Sequence, residues 1–217
     1  MSPRRSGLVA LLSLLALLSA CKPEPISLET GPRAFTSDSY ESVYKAWTRD
    51  EETFNWADLE HVLYVTATFE SWEFRWAYVV RYAHDYSLEP SARDQMLQAS
   101  LASSRKEHSF FVSLGGFDYR ESDLTGKQSA WRVLLIDPEG RQAVPVKMER
   151  IRRPTPLEKV YFPSVSPYRH AFRLSFPTVD EQGRPTIPPG ADHVILRFTG
   201  ARGRVDLRWD FDSSQES

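Results

Sequence analysis

His84-Asp85 and Glu107-His108 stand at the two ends of a stretch that reads as helical. Brought together, two imidazoles and two carboxylates would form the donor set of a zinc site. Placed apart, they are histidines at element ends, bonded to water or backbone. All five histidines (His61, His84, His108, His170 and His193) lack the HExxH spacing and form no closely spaced pair. Asp118, Glu121 and Asp123 cluster in a polar stretch that could supply oxygen ligands to calcium. They lack EF-hand spacing, and the other reading is a solvated loop. Asp206, Asp210 and Asp212 lie beside Arg204 and Arg208, an alternation of charge that suits pairing across strands better than a glycosidase couple. Ser113-Leu114-Gly115-Gly116 is the nearest glycine-rich stretch, but no helix follows to complete a phosphate loop. No Gly-x-Ser-x-Gly elbow is present. The sequence therefore names no catalytic residue, no metal ligand and no cofactor.

A different chemistry is written at the start. Cys21 is the one cysteine of 217 residues. Before it come Arg4 and Arg5 without an acid, then an almost wholly apolar run over 8–18. A basic segment followed by a short apolar one is the layout of a secretory signal peptide. The run is about half the length that a membrane span requires. Lys22-Pro23-Glu24-Pro25 ends any helix there.

Leu18-Ser19-Ala20-Cys21 resembles the lipobox of bacterial lipoproteins. The resemblance implies cleavage before Cys21, a diacylglycerol thioether on its sulfur and acylation of its new N-terminus. A thiolate is the alkylatable nucleophile among side chains at neutral pH, and two or three acyl chains anchor firmly where one does not. Lys22 stands where an aspartate often marks inner-membrane retention, so the outer membrane is the expected address. Residues 1–20 then leave the mature protein, with 25 basic against 29 acidic residues remaining, a net charge of −4. That mild, mixed charge argues against nucleic acid as a partner. With Cys21 modified no thiol remains for a disulfide.

The elements that must position these groups follow from hydropathy. Residues 21–37 hold Pro23, Pro25, Gly31 and Pro32 and read as an extended tether. Ser37 or Asp38 is placed to cap a short helix with Tyr40, Val43, Tyr44 and Trp47 on one face. Asp50-Glu51-Glu52 is expected to close it as a solvated charge run. Leu63, Val65, Ala67 and Phe69 alternate as a strand. The next segment fits two patterns. Trp72, Phe74, Trp76 and Tyr78 alternate, yet Trp72, Trp76, Val79 and Ala83 share a helical stripe behind Ser71. Pro90 then opens a run rich in helix formers, and a helical insertion near 72–106 is favoured.

Beyond His108 the pattern is β. Phe110, Val112 and Leu114 alternate. Residues 131–136 enter the turn Asp137-Pro138-Glu139-Gly140, with 143–151 expected as the returning partner. Pro145 within that return suggests an edge or a bulge. Phe172, Leu174 and Phe176 alternate, as do Val194, Leu196 and Phe198, and as do Val205, Leu207, Trp209 and Phe211. The expected fold is mainly β: an antiparallel immunoglobulin-like or C2-like β-sandwich over 38–217, carrying a small α-helical insertion. The stretches "WRVLLIDPEGRQAVPV" and "VYFPSVSPYRHAFRLSFP" look similar to uncharacterised bacterial secreted β-sandwich proteins, a likeness that transfers no functional residue.

Six Trp, nine Tyr and twelve Phe supply core, or in part a surface for sugars or a partner protein. The expected role is non-catalytic binding or scaffolding in the envelope, anchored to the membrane through Cys21, with an envelope protein or glycan as partner. The alternatives are an envelope hydrolase or metal-dependent enzyme and a carbohydrate-binding module.

Overall fold

The computed structural model describes residues 25–56, 59–116, 118–126 and 129–212. Cys21 and the apolar run before it lie outside the described residues.

Among the described residues, four helices and nine strands follow in the order α1 (Ser39–Trp47), β1 (Thr48–Asn55), β2 (Glu60–Phe69), α2 (Trp72–Asp85), α3 (Pro90–Ser104), β3 (Glu107–Gly115), β4 (Arg132–Ile136), β5 (Gln142–Ala143), β6 (Lys147–Ile151), α4 (Pro156–Tyr161), β7 (His170–Pro177), β8 (His193–Gly200) and β9 (Gly203–Asp210). The strands form two antiparallel sheets, ordered β1-β2-β3-β7-β6 and β5-β4-β8-β9. This is the expected antiparallel β-sandwich with a helical insertion. Its core lies where the two alternations meet: Leu63, Val65, Ala67, Phe110, Val112, Phe172 and Leu174 from one sheet face Val133, Leu135, Leu196, Phe198, Leu207 and Trp209 from the other.

The register pairs these residues directly across strands. Phe110 stands opposite both Phe69 and Leu174, and Val112 opposite Ala67 and Phe172. The alternate residues of β8 and β9 reach water. There Arg197 of β8 meets Asp206 of β9 through two 2.7 Å bonds, and Arg208 bonds Asp210 two residues along.

The five-stranded sheet has no wet face of that kind, because the helices cover part of its outer side. Ser109, Phe111 and Ser113 alternate with the core residues of β3 and are buried as well. Phe111 stacks on Phe162, which follows α4, at a ring separation of 3.8 Å. Two local signals set the insertion. Ser71 caps α2 by accepting the amide of Phe74, and Pro90 opens α3. Helix α2 has two apolar sides, which is why its sequence fits two periods. Phe74 and Ala77 join the main core, while Trp72, Trp76 and Val79 pack with Leu97 and Leu101 of α3.

Three expectations change. Asp50, Glu51 and Glu52 do not trail from a helix; they form the middle of β1, an edge strand whose charged side chains need no buried partner. The return over 143–151 does not stay with β4. Gln142 and Ala143 pair with β4, the chain crosses at Val144-Pro145, and β6 joins β7 in the other sheet. Pro145 has no amide proton to continue the first ladder, so the strand breaks there. Finally, the stretch read as a tether is docked from Ile26 onward. The Ile26 amide donates to the Asp210 carbonyl at 3.1 Å, and the Asp212 amide to the Ile26 carbonyl at 3.0 Å. Leu28 and Phe35 also pack on the core.

Candidate binding site

The structure separates the residues that suggested zinc. His108 shares a cleft with Trp72 at the start of α2. His84 and Asp85 lie twelve residues further along that helix, about 18 Å away at 1.5 Å per residue. Asp85 is held by Arg81 at 2.9 Å and by the Tyr161 hydroxyl at 2.8 Å. Burial, with a further contribution from Asp85, raises the Tyr161 hydroxyl above the ordinary tyrosine range.

The suggested calcium cluster is dispersed among protein partners. Asp118 accepts the Arg120 amide, Glu121 accepts from Arg202, and Asp123 accepts from Thr125 and from Arg150. Arg150 also donates to His170 Nδ1 at 2.8 Å, so the ring carries its proton on Nε2 and donates it to the Tyr119 carbonyl at 2.7 Å. Tyr119 lies over that imidazole, with ring centroids 3.7 Å apart. The network ties residues 118–126 to β6 and β7 using the atoms a cation would need. Among the described residues, no group of three or more His, Cys, Asp or Glu is placed to hold a metal ion.

Of the other sequence candidates, Ser113 donates to the Ser164 carbonyl at 2.8 Å. His61, His84 and His193 each face a carboxylate: Glu52, Asp85 and Asp192. The carboxylates of β9 serve the arginines described above.

A concavity lies on the outer face of the five-stranded sheet, where the helices leave β1 and β2 uncovered. It is a groove of about 590 Å³ between α1 and residues 163–169. Strand pairing sets Thr48 against Thr68 and Asp50 against Thr66, so four polar side chains stand in two adjacent rows. The two threonine hydroxyls of the first row bond each other at 2.8 Å. In the second, Thr66 Oγ1 donates to Asp50 Oδ1 at 2.5 Å and accepts from Arg169 Nη1 at 2.9 Å.

Arg169 and Asp50 thus meet through a threonine and form no direct ion pair. The guanidinium also lies over the Tyr64 ring, 4.5 Å from its centroid. It is fixed in plane and position while most of its N–H groups stay available. Tyr44 closes the helical side of the groove. Burial raises its hydroxyl pKa against the opposing hydrogen bonds of Thr48 and Thr68, so it acts as a neutral donor and acceptor.

No protein-family model matches the chain. No curated protein matches it either. Among solved structures it is similar to a protein of unknown function from Burkholderia pseudomallei K96243. That likeness spans 85% of this chain and 94% of the other, at 12% identity and a TM-score of 0.40.

A second polar cleft, of about 310 Å³, opens between α2, α3 and the same sheet. Glu70 and Arg75 sit at the strand-to-helix junction, and Arg173 comes from β7. Glu70 Oε1 accepts from Arg173 Nε at 3.2 Å.

Sequence reading assigned none of these residues to a site. Asp50 was concealed in a charge run and Arg169 in the proline-rich stretch 163–169. Glu70 left one local trace: a carboxylate directly between an apolar strand and a helix cap.

Proposed function

We propose that this protein is a lipid-anchored, non-catalytic binding protein of the bacterial cell envelope, held by Cys21. Its binding surface is the groove between Tyr44 and Arg169, and its ligand is polar and rich in hydroxyls, as an envelope glycan is. The observation that supports this reading is the Thr66 bridge. It fixes a carboxylate and a guanidinium side by side without letting them neutralise one another. A polyol offers paired donors and acceptors at similar spacing, and charged planar side chains can take two of its hydroxyls at once. Thr48, Thr68 and Tyr44 extend the same row of hydroxyls. The lipobox supplies the address: two or three acyl chains on Cys21 would hold the domain firmly at a membrane.

Two measurements test the proposal. Cys21→Ser is expected to move the protein from the membrane to the soluble fraction; retention at the membrane would count against anchoring. Soluble peptidoglycan fragments and lipopolysaccharide core oligosaccharides, titrated against the purified protein, are expected to bind. Arg169→Ala or Asp50→Asn is expected to weaken that binding at least tenfold. Equal binding by both variants would remove the groove from the proposal.

A further inference from the structure

The cleft behind the helical insertion carries an imbalance that the groove does not explain. Arg75 is largely buried, with a side chain 11% exposed. One of its donors is well used: Nε bonds the Glu70 carbonyl at 2.8 Å. The others are poorly met. Nη1 lies 3.4 Å and 3.5 Å from the carbonyl and hydroxyl of Ser100, and Nη2 lies 3.6 Å from Glu70. The Glu70 carboxylate is given mainly to Arg173, which approaches it with Nε and Nη2, both at 3.2 Å. Desolvation, with a smaller contribution from Arg173, lowers the Arg75 pKa more than Glu70 and Glu107 restore it, whereas Glu70 raises that of Arg173.

One other carboxylate lines the cleft. Glu107, at the first residue of β3, forms no ion pair with either arginine. With Arg173 taking the closer contacts of Glu70, Arg75 and Glu107 are the loosely paired cation and anion of the same space. Phe74, Tyr78 and Phe162 form an aromatic wall, and Ser100, Ser103 and Ser109 add hydroxyls. A volume of about 310 Å³ lies at the lower end of the range for small-molecule sites.

The geometry points to a binding site for a zwitterionic amino acid with an apolar side chain. Its carboxylate bonds the free edge of Arg75, its ammonium meets Glu107, and its side chain lies against Phe74 and Phe162. A simple anion would leave Glu107 opposed to it, and a simple cation would leave Arg75 so. The zwitterion answers both. The site is separate from the groove and stands without the glycan reading.

Isothermal titration of the full chain, purified in detergent, with L-phenylalanine, phenylacetate and phenethylamine tests this. L-Phenylalanine is expected to bind one to one, and each single-charge analogue at least tenfold more weakly. Glu107→Gln should weaken phenylalanine about tenfold and tighten phenylacetate, whose carboxylate it no longer opposes. Ser103→Leu, which fills the cleft and leaves its ion pair intact, should abolish binding, with circular dichroism confirming that both variants are folded. An absence of phenylalanine binding by the folded protein would overturn the site. So would analogues that bind as tightly as phenylalanine, or a Glu107→Gln variant that binds it as well as the parent.

Discussion

Trp209 donates its indole N–H to the backbone carbonyl of Trp47 at 2.9 Å, between two side chains that are both fully buried. Trp47 ends α1, and its own indole N–H bonds Glu73 in the first turn of α2 at 2.8 Å. One chain of two indoles therefore joins β9, the α1–β1 junction and the helical insertion.

Trp209→Phe keeps most of the ring volume and leaves the Trp47 carbonyl without its donor. The expected loss is about 1–3 kcal/mol, the cost of a buried polar group left unpaired, read from urea unfolding. Trp209→Ala adds a cavity where Phe69 and Phe110 now meet the indole, and the loss should reach about 3–5 kcal/mol.

Stability should decline in mild acid for a stated reason. Burial pushes the His108 pKa down from 6.5 to about 4, and burial also lowers that of His170. Above pH 6.5 both rings are neutral whether the chain is folded or not, so neither affects stability. As pH falls below 6.5, the unfolded chain takes up protons that the native state refuses, and stability drops until His108 titrates near pH 4. Urea midpoints at pH 7, 5.5 and 4.5 should fall in that order, and His108→Gln should flatten the slope.

Gly200 permits the close approach of β8 to the residue before Trp131, since a Cβ there would collide with the Ala130 carbonyl. Gly200→Ala must displace backbone, and an overpacking loss of about 1–3 kcal/mol is expected. Thermal unfolding gives the comparison.

The wet face behaves oppositely. Asp206→Asn removes a two-bond pair with Arg197 that water partly screens, and it should cost less than about 1 kcal/mol. A larger loss in urea unfolding would mean that this ladder fixes the β8–β9 register.

What could be read in advance follows from where energy is concentrated. Strands β2, β7, β8 and β9 each place alternate apolar residues in one core, and that periodicity survives in the sequence. The caps Ser71 and Pro90 are local signals and set the helices directly. Strand β1 was illegible because an edge strand needs backbone partners more than apolar ones, and Arg49 to Glu52 gives no alternation of hydropathy. The covering of Ser109, Phe111 and Ser113 was illegible for another reason: it depends on α4 and Phe162, some fifty residues away. Both candidate sites share that origin. Asp50, Thr66 and Arg169, like Glu70, Arg75 and Arg173, are joined by strand register and helix packing, with no spacing motif to announce them.

The clasp of Ile26 between Asp210 and Asp212 also sets a length. From Cys21 to Ile26 the chain has five steps, which reach about 17 Å when fully stretched. Strand β9 has eight residues and is about 26 Å long. A lipid on Cys21 would therefore hold the domain on a leash shorter than one of its own strands. The end of the sandwich bearing Phe211 would rest toward the bilayer, and the β1–β2 hairpin with the exposed Trp56 would point away from it. A domain so moored would meet its ligand close to the membrane surface.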